Sequence, residues 1–143
     1  MTSANKDQQL LALLKENART SISELARKLN VSRTAAQARL SRLERTGIIS
    51  GYTIRLADDY LLNNIKAIIM IKVPPNKRVE AELALNGIPE LIALYSISGA
   101  FDLTAIVMAP SVPQLDKVID QIGVLEGVEE TQSSVILSTK VDR

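Results

Sequence analysis

The sequence contains no cysteine and no histidine, and it has very few aromatic residues. Without cysteine the chain forms no disulfide. Without histidine it lacks the commonest metal ligand and the commonest general base. Carboxylates are not clustered either, so we expect no catalytic residues, no metal site and no cofactor. Because aromatics make up only 3% of the 143 residues, the hydrophobic cores must be built from Leu, Ile, Val and Ala.

Long apolar runs are also missing. No stretch approaches the roughly 18 consecutive apolar residues that a membrane-spanning helix requires. The first residues, Met1–Asp7, lack the apolar region of a signal peptide. We therefore expect no membrane partner and a cytoplasmic protein.

Charge is unevenly distributed along the chain, although the net charge is only +1. Residues 1–50 hold nine Lys or Arg and four Asp or Glu, a balance of +5. Residues 51–143 hold eight Lys or Arg and twelve Asp or Glu, a balance of −4. A basic half joined to an acidic half suggests that a polyanion such as DNA binds the first half.

Residues 21–47 carry the signals of two short helices with a tight break between them. Ser21 and Glu24 form a capping box, which predicts that a helix begins directly after Ser21. Asn30 suits the end of that helix, and Ser32 can cap a second helix with its hydroxyl. Ala36, Leu40 and Leu43 form the apolar stripe of this second helix, and Gly47 ends it.

The opposite face of this second helix is polar and basic, with four Arg and one Glu on residues 33–45. Small or hydrogen-bonding residues come first and Arg later, as expected when a helix contacts base edges and then phosphates. The alternative is a solvated outer face, although solubility does not require such unbalanced charge. For Arg39, which lies on the flank of the helix, the alternative is an intramolecular pair with Glu44 or with the linker. The candidate DNA-binding residues are Ser32, with Arg33, Thr34, Gln37 and Ala38 for base readout and Arg39, Arg42 and Arg45 for phosphates.

The flanking segments complete an N-terminal unit. Residues 6–16 are predicted as a first helix, with Asp7 in its first turn and an apolar stripe of Leu10, Leu11 and Leu14. Residues 48–56 alternate like a strand, which we interpret as a wing or linker, and residues 57–64 as a turn or helical connection. The expected domains are a helix-turn-helix DNA-binding domain (1–50), a linker strand and connection (51–64) and an effector-binding and oligomerisation domain (65–143).

From residue 65 the pattern predicts the order β-α-β-β-α-β of a ferredoxin-like domain. The expected strands are 65–73, 90–98, 101–109 and 128–141. The expected helices are 77–86, with Val79, Leu83 and Asn86 spaced as one helical stripe, and a segment between Ser111 and Gly127. Helices cover one face of such a sheet, so the other face predicts a homodimer. The fold class is α+β, with an N-terminal helix-turn-helix (winged-helix-like) domain and a C-terminal ferredoxin-like βαββαβ domain.

The ordered set of motifs resembles the Lrp/AsnC family, the feast/famine transcriptional regulators. In the first half the matching residues are Asp7, Leu10-Leu11, Leu14, Asn17-Ala18-Arg19, Ser23-Glu24-Leu25-Ala26, Val31-Ser32, Arg39, Leu43-Glu44, Gly47-Ile48-Ile49 and Gly51-Tyr52. In the second half they are Ser98-Gly99-Ala100-Phe101-Asp102, similar to the Gly-Asp-Tyr-Asp turn of the family, and Gly127-Val128 with Thr131-Gln132-Ser133.

The resemblance implies a sequence-specific DNA-binding regulator that responds to a small effector, commonly an amino acid. It implies double-stranded DNA as a partner and a homodimer that assembles further, often into an octamer of four dimers. It also implies an effector site between subunits, with Ser96, Ser98, Gly99, Ala100, Phe101, Asp102, Thr131, Gln132, Ser133 and Ser134 as candidates. There, turn N–H groups suit a carboxylate and Asp102 suits an ammonium.

The turn departs from the family pattern at two positions. Ala100 replaces the first acid, and Phe101 has no hydroxyl. The ligand is then more apolar or less tightly held, or the site is vestigial and Gly99 and Asp102 only build a tight hairpin. This departure keeps open a non-regulatory architectural DNA-binding protein of the same fold as the alternative function.

Overall fold

The computed structural model describes residues 3–57, 60 and 64–142, with side chains from Asn5 onwards. The chain forms two compact units, residues 1–55 and residues 56–143. None of the described helices is long and apolar enough to cross a membrane.

Three helices build the N-terminal unit: α1 (Ser3–Glu16), α2 (Ile22–Leu29) and α3 (Arg33–Arg45). Both predicted caps are confirmed, since Ser21 Oγ accepts from the Glu24 N–H at 3.2 Å and Ser32 Oγ accepts from the Ala35 N–H at 3.0 Å. Each cap of this kind contributes roughly 1 kcal/mol to helix stability. Asn30 ends α2 in the left-handed conformation with φ 54°, which Asn tolerates better than most residues.

The core of this unit is aliphatic, as the composition requires. Leu10, Leu25 and Leu43 are fully buried, one from each helix. The Lys6 ammonium donates to the Leu29 carbonyl at 2.6 Å, which joins α1 to the open C-terminal end of α2. Because α1 begins at Ser3, the prediction of Asp7 in the first helical turn is wrong. Its carboxylate contacts α3 instead of the amino end of its own helix.

The predicted linker strand over residues 48–56 is wrong for the single chain. Residues 50–57 are exposed and belong to no helix or strand, with Ile54 77% exposed. A strand requires a neighbour that pairs its backbone N–H and C=O groups, and none of the described strands pairs with this segment. The predicted connection over 57–64 lies mostly outside the described residues. Of those that are described, Tyr60 donates its N–H to the Ala57 carbonyl at 2.9 Å.

The C-terminal unit confirms the predicted order of elements. They are β1 (Ile65–Lys72), α4 (Arg78–Asn86), β2 (Leu91–Ser96), β3 (Leu103–Ala109), α5 (Val112–Gly123) and β4 (Glu130–Val135). The strands form one antiparallel sheet in the order β2-β3-β1-β4. The predicted last strand, 128–141, is too long, because β4 spans only Glu130–Val135, which pairs with Lys72–Ala67 of β1, and residues 136–142 belong to no strand.

The apolar stripe of α4 differs from the predicted one. Ala81 and Leu85 are fully buried, whereas Val79 and Leu83 are each 70% exposed. Both pairs have the helical i,i+4 spacing, so periodicity alone does not choose between them. Ile88, which follows the helix, is buried in the same core as Ala81 and Leu85. The side of α4 that carries Ala81 and Leu85 is therefore the core face.

The two faces of the sheet have different surroundings. Alternate residues such as Ile69, Ile71 and Val107 are buried in the core that α4 and α5 share. The residues between them point to the opposite face, where Ile68 is paired with Ile106 in the register. This opposite face is half-buried at its apolar centre. We call it the uncovered face, defined by Ile68, Met70, Ile106 and Met108.

Candidate nucleic-acid interface and effector site

The outer face of α3 is exposed over its first two turns. Ala36 and Leu43 anchor the inner face in the core, and the Ser32 cap fixes where the helix begins. The Ser32 oxygen accepts the cap hydrogen bond, and its hydroxyl hydrogen can still donate to an acceptor such as a phosphate oxygen. Gln37 Nε2 donates to Ser41 Oγ at 3.1 Å, so these two exposed side chains are already aligned. The predicted base-reading residues are all exposed: Arg33, Thr34, Gln37 and Ala38.

The three arginines predicted to bind phosphates have different surroundings. Arg39 Nη1 donates to Asp7 Oδ1 at 2.5 Å, and Arg42 Nη2 donates to Asp7 Oδ2 at 2.6 Å. The Arg39 and Asp7 side chains are each 18% exposed, while Arg42 is 42% exposed. Arg45 is exposed and makes no ion pair with any side chain in the described part of the chain.

Asp7 was not among the predicted site residues. Hydrogen bonds from Arg42 and then from Arg39 hold the pKa of the Asp7 carboxyl below its ordinary value of 3.8. Asp7 is therefore ionised at neutral pH. It shares one negative charge between two arginines of the candidate interface.

The candidate effector residues do not form one cluster within a single chain. Ile71 pairs with Leu103 on one side and with Thr131 on the other, so β1 separates the two groups. Two strand spacings amount to about 10 Å. Alternation also divides the second group, because Thr131 and Ser133 face α5 while Gln132 and Ser134 lie on the uncovered face.

The turn at Gly99 is open to solvent. Gly99 has φ 125°, a conformation that favours glycine, and no atom lies within 4 Å of where a Cβ would stand. Ser96, Ser98 and Ala100 are exposed, and Phe101 is half-buried. The backbone N–H groups of this turn are therefore accessible to a ligand carboxylate.

Asp102 has partners of its own within the fold. Its Oδ2 accepts from the Val73 N–H at 2.9 Å, and its Oδ1 accepts from Arg78 Nη2 at 3.2 Å. Its own N–H donates to the Ile71 carbonyl at 3.0 Å. Asp102 thus fixes the turn to the end of β1 and to the beginning of α4. Sequence reasoning missed both Arg78 and Val73, since neither lies near Asp102 in the chain.

Metal binding has no support at either place. Among residues 3–57, 60 and 64–142, no three His, Cys, Asp or Glu side chains are grouped so that they could hold an ion.

Comparisons with known proteins agree with this architecture. A family model described as the Lrp/AsnC ligand binding domain matches residues 66–143, and one described as winged helix-turn-helix DNA-binding matches residues 4–50. The chain is 34% identical to the HTH-type transcriptional regulator LysM of Saccharolobus solfataricus, over 97% of this chain and 99% of that protein.

Two solved structures show the same fold. AsnC of E. coli has a TM-score of 0.88 and 26% identity, covering 97% of this chain and 95% of that chain. The feast or famine regulatory protein of M. tuberculosis, complexed with L-methionine, has a TM-score of 0.86 and 28% identity, covering 96% and 94%.

Proposed function

This chain belongs to the Lrp/AsnC family of transcriptional regulators, and we propose that it reads operator DNA with the outer face of α3. The observation that carries this proposal is the exposed first half of α3, where Arg33, Thr34 and Gln37 stand beside each other on a capped, well-anchored helix. Helix-turn-helix proteins place the N-terminal residues of their second helix against base edges in the major groove.

The side chains of this face match the chemistry of base readout and phosphate binding. Arg33 and Gln37 can form bidentate hydrogen bonds with guanine and adenine, and the Thr34 and Ala38 methyl groups can contact thymine. Arg45 is an exposed cation that suits a phosphate. Arg42 contributes through the part of its guanidinium that Asp7 leaves open. Arg39 is mostly enclosed and is better placed to hold α1 against α3.

Selection of binding sites from a random pool of duplexes tests this proposal. A symmetric dimer should enrich a motif with two-fold symmetry and half-sites about 10 base pairs apart, or a multiple of that spacing. Recovery of unrelated sequences with no shared motif would contradict sequence-specific regulation and would favour architectural DNA binding.

We further propose that an amino acid is the effector. The Gly99 turn offers exposed N–H groups for the carboxylate, and hydroxyls of the Thr131–Ser134 segment can orient the ligand. Asp102 keeps lone pairs beyond those used by Arg78 and Val73, so its carboxylate can also accept from an ammonium. Ala100 leaves no second acid in the turn, which favours a ligand with an apolar side chain such as the methionine bound by the M. tuberculosis relative.

A homodimer is the assembly that this site and this fold favour. The uncovered face carries apolar side chains at its centre, and the Thr104 hydroxyl there is buried with no hydrogen-bond partner among the described residues. A second copy would bury the apolar side chains and could supply a partner for that hydroxyl. We propose that dimers assemble further, as far as an octamer, and that the regulator acts on chromosomal DNA in the cytoplasm.

A thermal-shift screen of the twenty amino acids tests the effector proposal. A ligand that binds only the folded protein raises its melting temperature, by more at higher ligand concentration. No shift with any amino acid, in protein that still binds DNA, would contradict an amino-acid effector.

A further inference from the structure

The DNA-facing helix has an acidic residue of α1 held against it. DNA phosphates repel a carboxylate, so an ionised acid beside a phosphate-binding arginine is unexpected unless it has a task there. We propose that Asp7 is a positioning residue that raises the sequence selectivity of DNA binding by partly neutralising and orienting Arg42. The proposal rests on the proposed DNA-binding role of α3.

The geometry assigns one carboxylate oxygen to each arginine. Arg39 and Arg42 are three residues apart on α3 and therefore lie on the same side of the helix. Asp7 Oδ1 accepts from Arg39 at 2.5 Å and Oδ2 accepts from Arg42 at 2.6 Å, which fixes the carboxylate between the two guanidinium groups. With only 18% of its side chain exposed, Asp7 is shielded from water, so this pairing is screened less than a surface ion pair.

Arg39 and Arg42 differ in how much of each side chain is exposed to solvent. Arg39 is as enclosed as Asp7, so Asp7 mainly compensates its buried charge. Arg42 is 42% exposed, and a guanidinium has five N–H donors in a fixed plane. One side of Arg42 is therefore held by Asp7, while the other side is presented to solvent in a fixed orientation. Arg45, one turn further along α3, has no acidic partner among the described side chains and provides an internal comparison.

This arrangement separates specific from non-specific binding. Non-specific affinity grows with every cation that displaces counterions from the DNA. A cation already paired with a carboxylate displaces fewer counterions, so Arg42 adds less to that affinity than Arg45 does. An oriented Arg42 can still donate to one phosphate when the helix is in the correct register. Asp7 therefore lowers binding to arbitrary DNA more than binding to the operator.

Asp7→Asn in the full chain is the primary test. Binding to a random-sequence duplex and to the selected site is measured across a range of salt concentrations. The log–log salt slope on random DNA should become steeper by up to about 0.9, the value for one additional free cation. Affinity for random DNA should rise, and the ratio of specific to non-specific affinity should fall. An unchanged slope together with an unchanged ratio would overturn the proposal.

A double-mutant cycle separates positioning from a purely structural role. If Asp7 acts through Arg42, Asp7→Asn should have no further effect on the salt slope in an Arg42→Gln background. An equal effect in both backgrounds would mean that Asp7 acts on DNA binding without Arg42, which contradicts the proposal.

A third comparison keeps the test valid if Asp7→Asn does not fold. Arg45→Gln should reduce the salt slope by about 0.9, whereas Arg42→Gln should reduce it by clearly less. Equal reductions would overturn the role of Asp7. If Arg45→Gln, Arg33→Gln and Gln37→Ala all leave binding to every duplex unchanged, the DNA-binding role of α3 itself fails, which is a different outcome.

Discussion

Asp7 and Asp102 each hold an arginine that lies far away in the sequence. Asp7 is 32 residues from Arg39, and Asp102 is 24 residues from Arg78. Pairing rules for single helices cover only neighbours three or four residues apart, so the sequence alone does not predict these contacts. Each aspartate joins two elements of its own unit, α1 to α3 in one and β3 to α4 in the other. The sequence predicted Asp7 as an acid of the first helical turn and a family position, and Asp102 as a ligand group, but neither as the partner of a distant arginine.

Acid should weaken the N-terminal unit through Asp7. Its folded pKa is lowered below the ordinary 3.8 by Arg42 and then Arg39, so the ionised carboxylate stabilises the fold above that value. This contribution is lost as the pH falls from about 4 through the folded pKa. Asp7→Asn should therefore be less stable than the wild type at pH 7, and the difference should shrink as the pH falls through the folded pKa. Urea unfolding followed by the NMR methyl signals of Leu10 checks this, and a constant difference at all pH values would contradict it.

Asp102→Asn should destabilise the C-terminal unit before any ligand is added. The change removes the charge that pairs with Arg78 and weakens the acceptor for the Val73 N–H. Because the Arg78 and Asp102 side chains are 36% and 32% exposed, we expect a loss of about 1–2 kcal/mol. Hydrogen exchange of the β1 and β3 amides measures this loss, with the exposed Asp116→Asn on α5 as the control. Unchanged exchange together with lost amino-acid binding would mean that Asp102 is chiefly a ligand group.

Among the secondary-structure elements, the sequence correctly predicted those helix ends that depend on contacts within one helical turn. The hydroxyl caps at Ser21, Ser32 and Ser111 and the left-handed Asn30 define helix ends through contacts with residues three or four positions away. The strand predicted for the linker was wrong because a β-strand requires a neighbouring strand with which its backbone pairs. The alternation of Tyr52, Ile54 and Leu56 shows which side chains would share a face, but it does not supply a partner strand.

The predicted stripe of helix α4 was wrong for a different reason. Its nine residues contain two apolar pairs at helical spacing, and only packing on the sheet decides between them. Leu85→Ala should cost about 2–5 kcal/mol, because it leaves a cavity in a closed core. Leu83→Ala, the matched control on the same helix, should change the free energy of unfolding by less than about 0.5 kcal/mol. Equal losses would show that the predicted stripe had been correct.

For the whole molecule, the uncovered face of the sheet determines the expected assembly. The prediction of a dimer follows from the helices lying on one face, and Ile68 and Ile106 now mark the centre of the other. We expect the full chain to sediment as a dimer or a larger assembly. Ile106→Lys should shift it towards monomer, because a buried interface does not tolerate an unpaired ammonium. Leu83→Lys, an equally apolar but exposed position, should leave the assembly unchanged.

The candidate effector site also depends on the assembly. The sequence identified the Gly99 turn and the Thr131–Ser134 segment through a resemblance, but the register places them on either side of β1 and on both faces of the sheet. Within one chain β1 keeps these two groups apart. A second copy is the natural source of the missing contacts, so ligand binding and assembly should fail together in Ile106→Lys.

Selection of binding sites with single variants tests whether the outer face of α3 reads the operator. Thr34→Ala and Gln37→Ala should each relax the preference for one base pair per half-site, with a loss of roughly 1–3 kcal/mol on the selected operator and little loss on random DNA. Glu16→Ala, an exposed change on α1, should select the wild-type motif. If both α3 variants selected the same motif with the same strength as the wild type, operator reading by this helix would be contradicted.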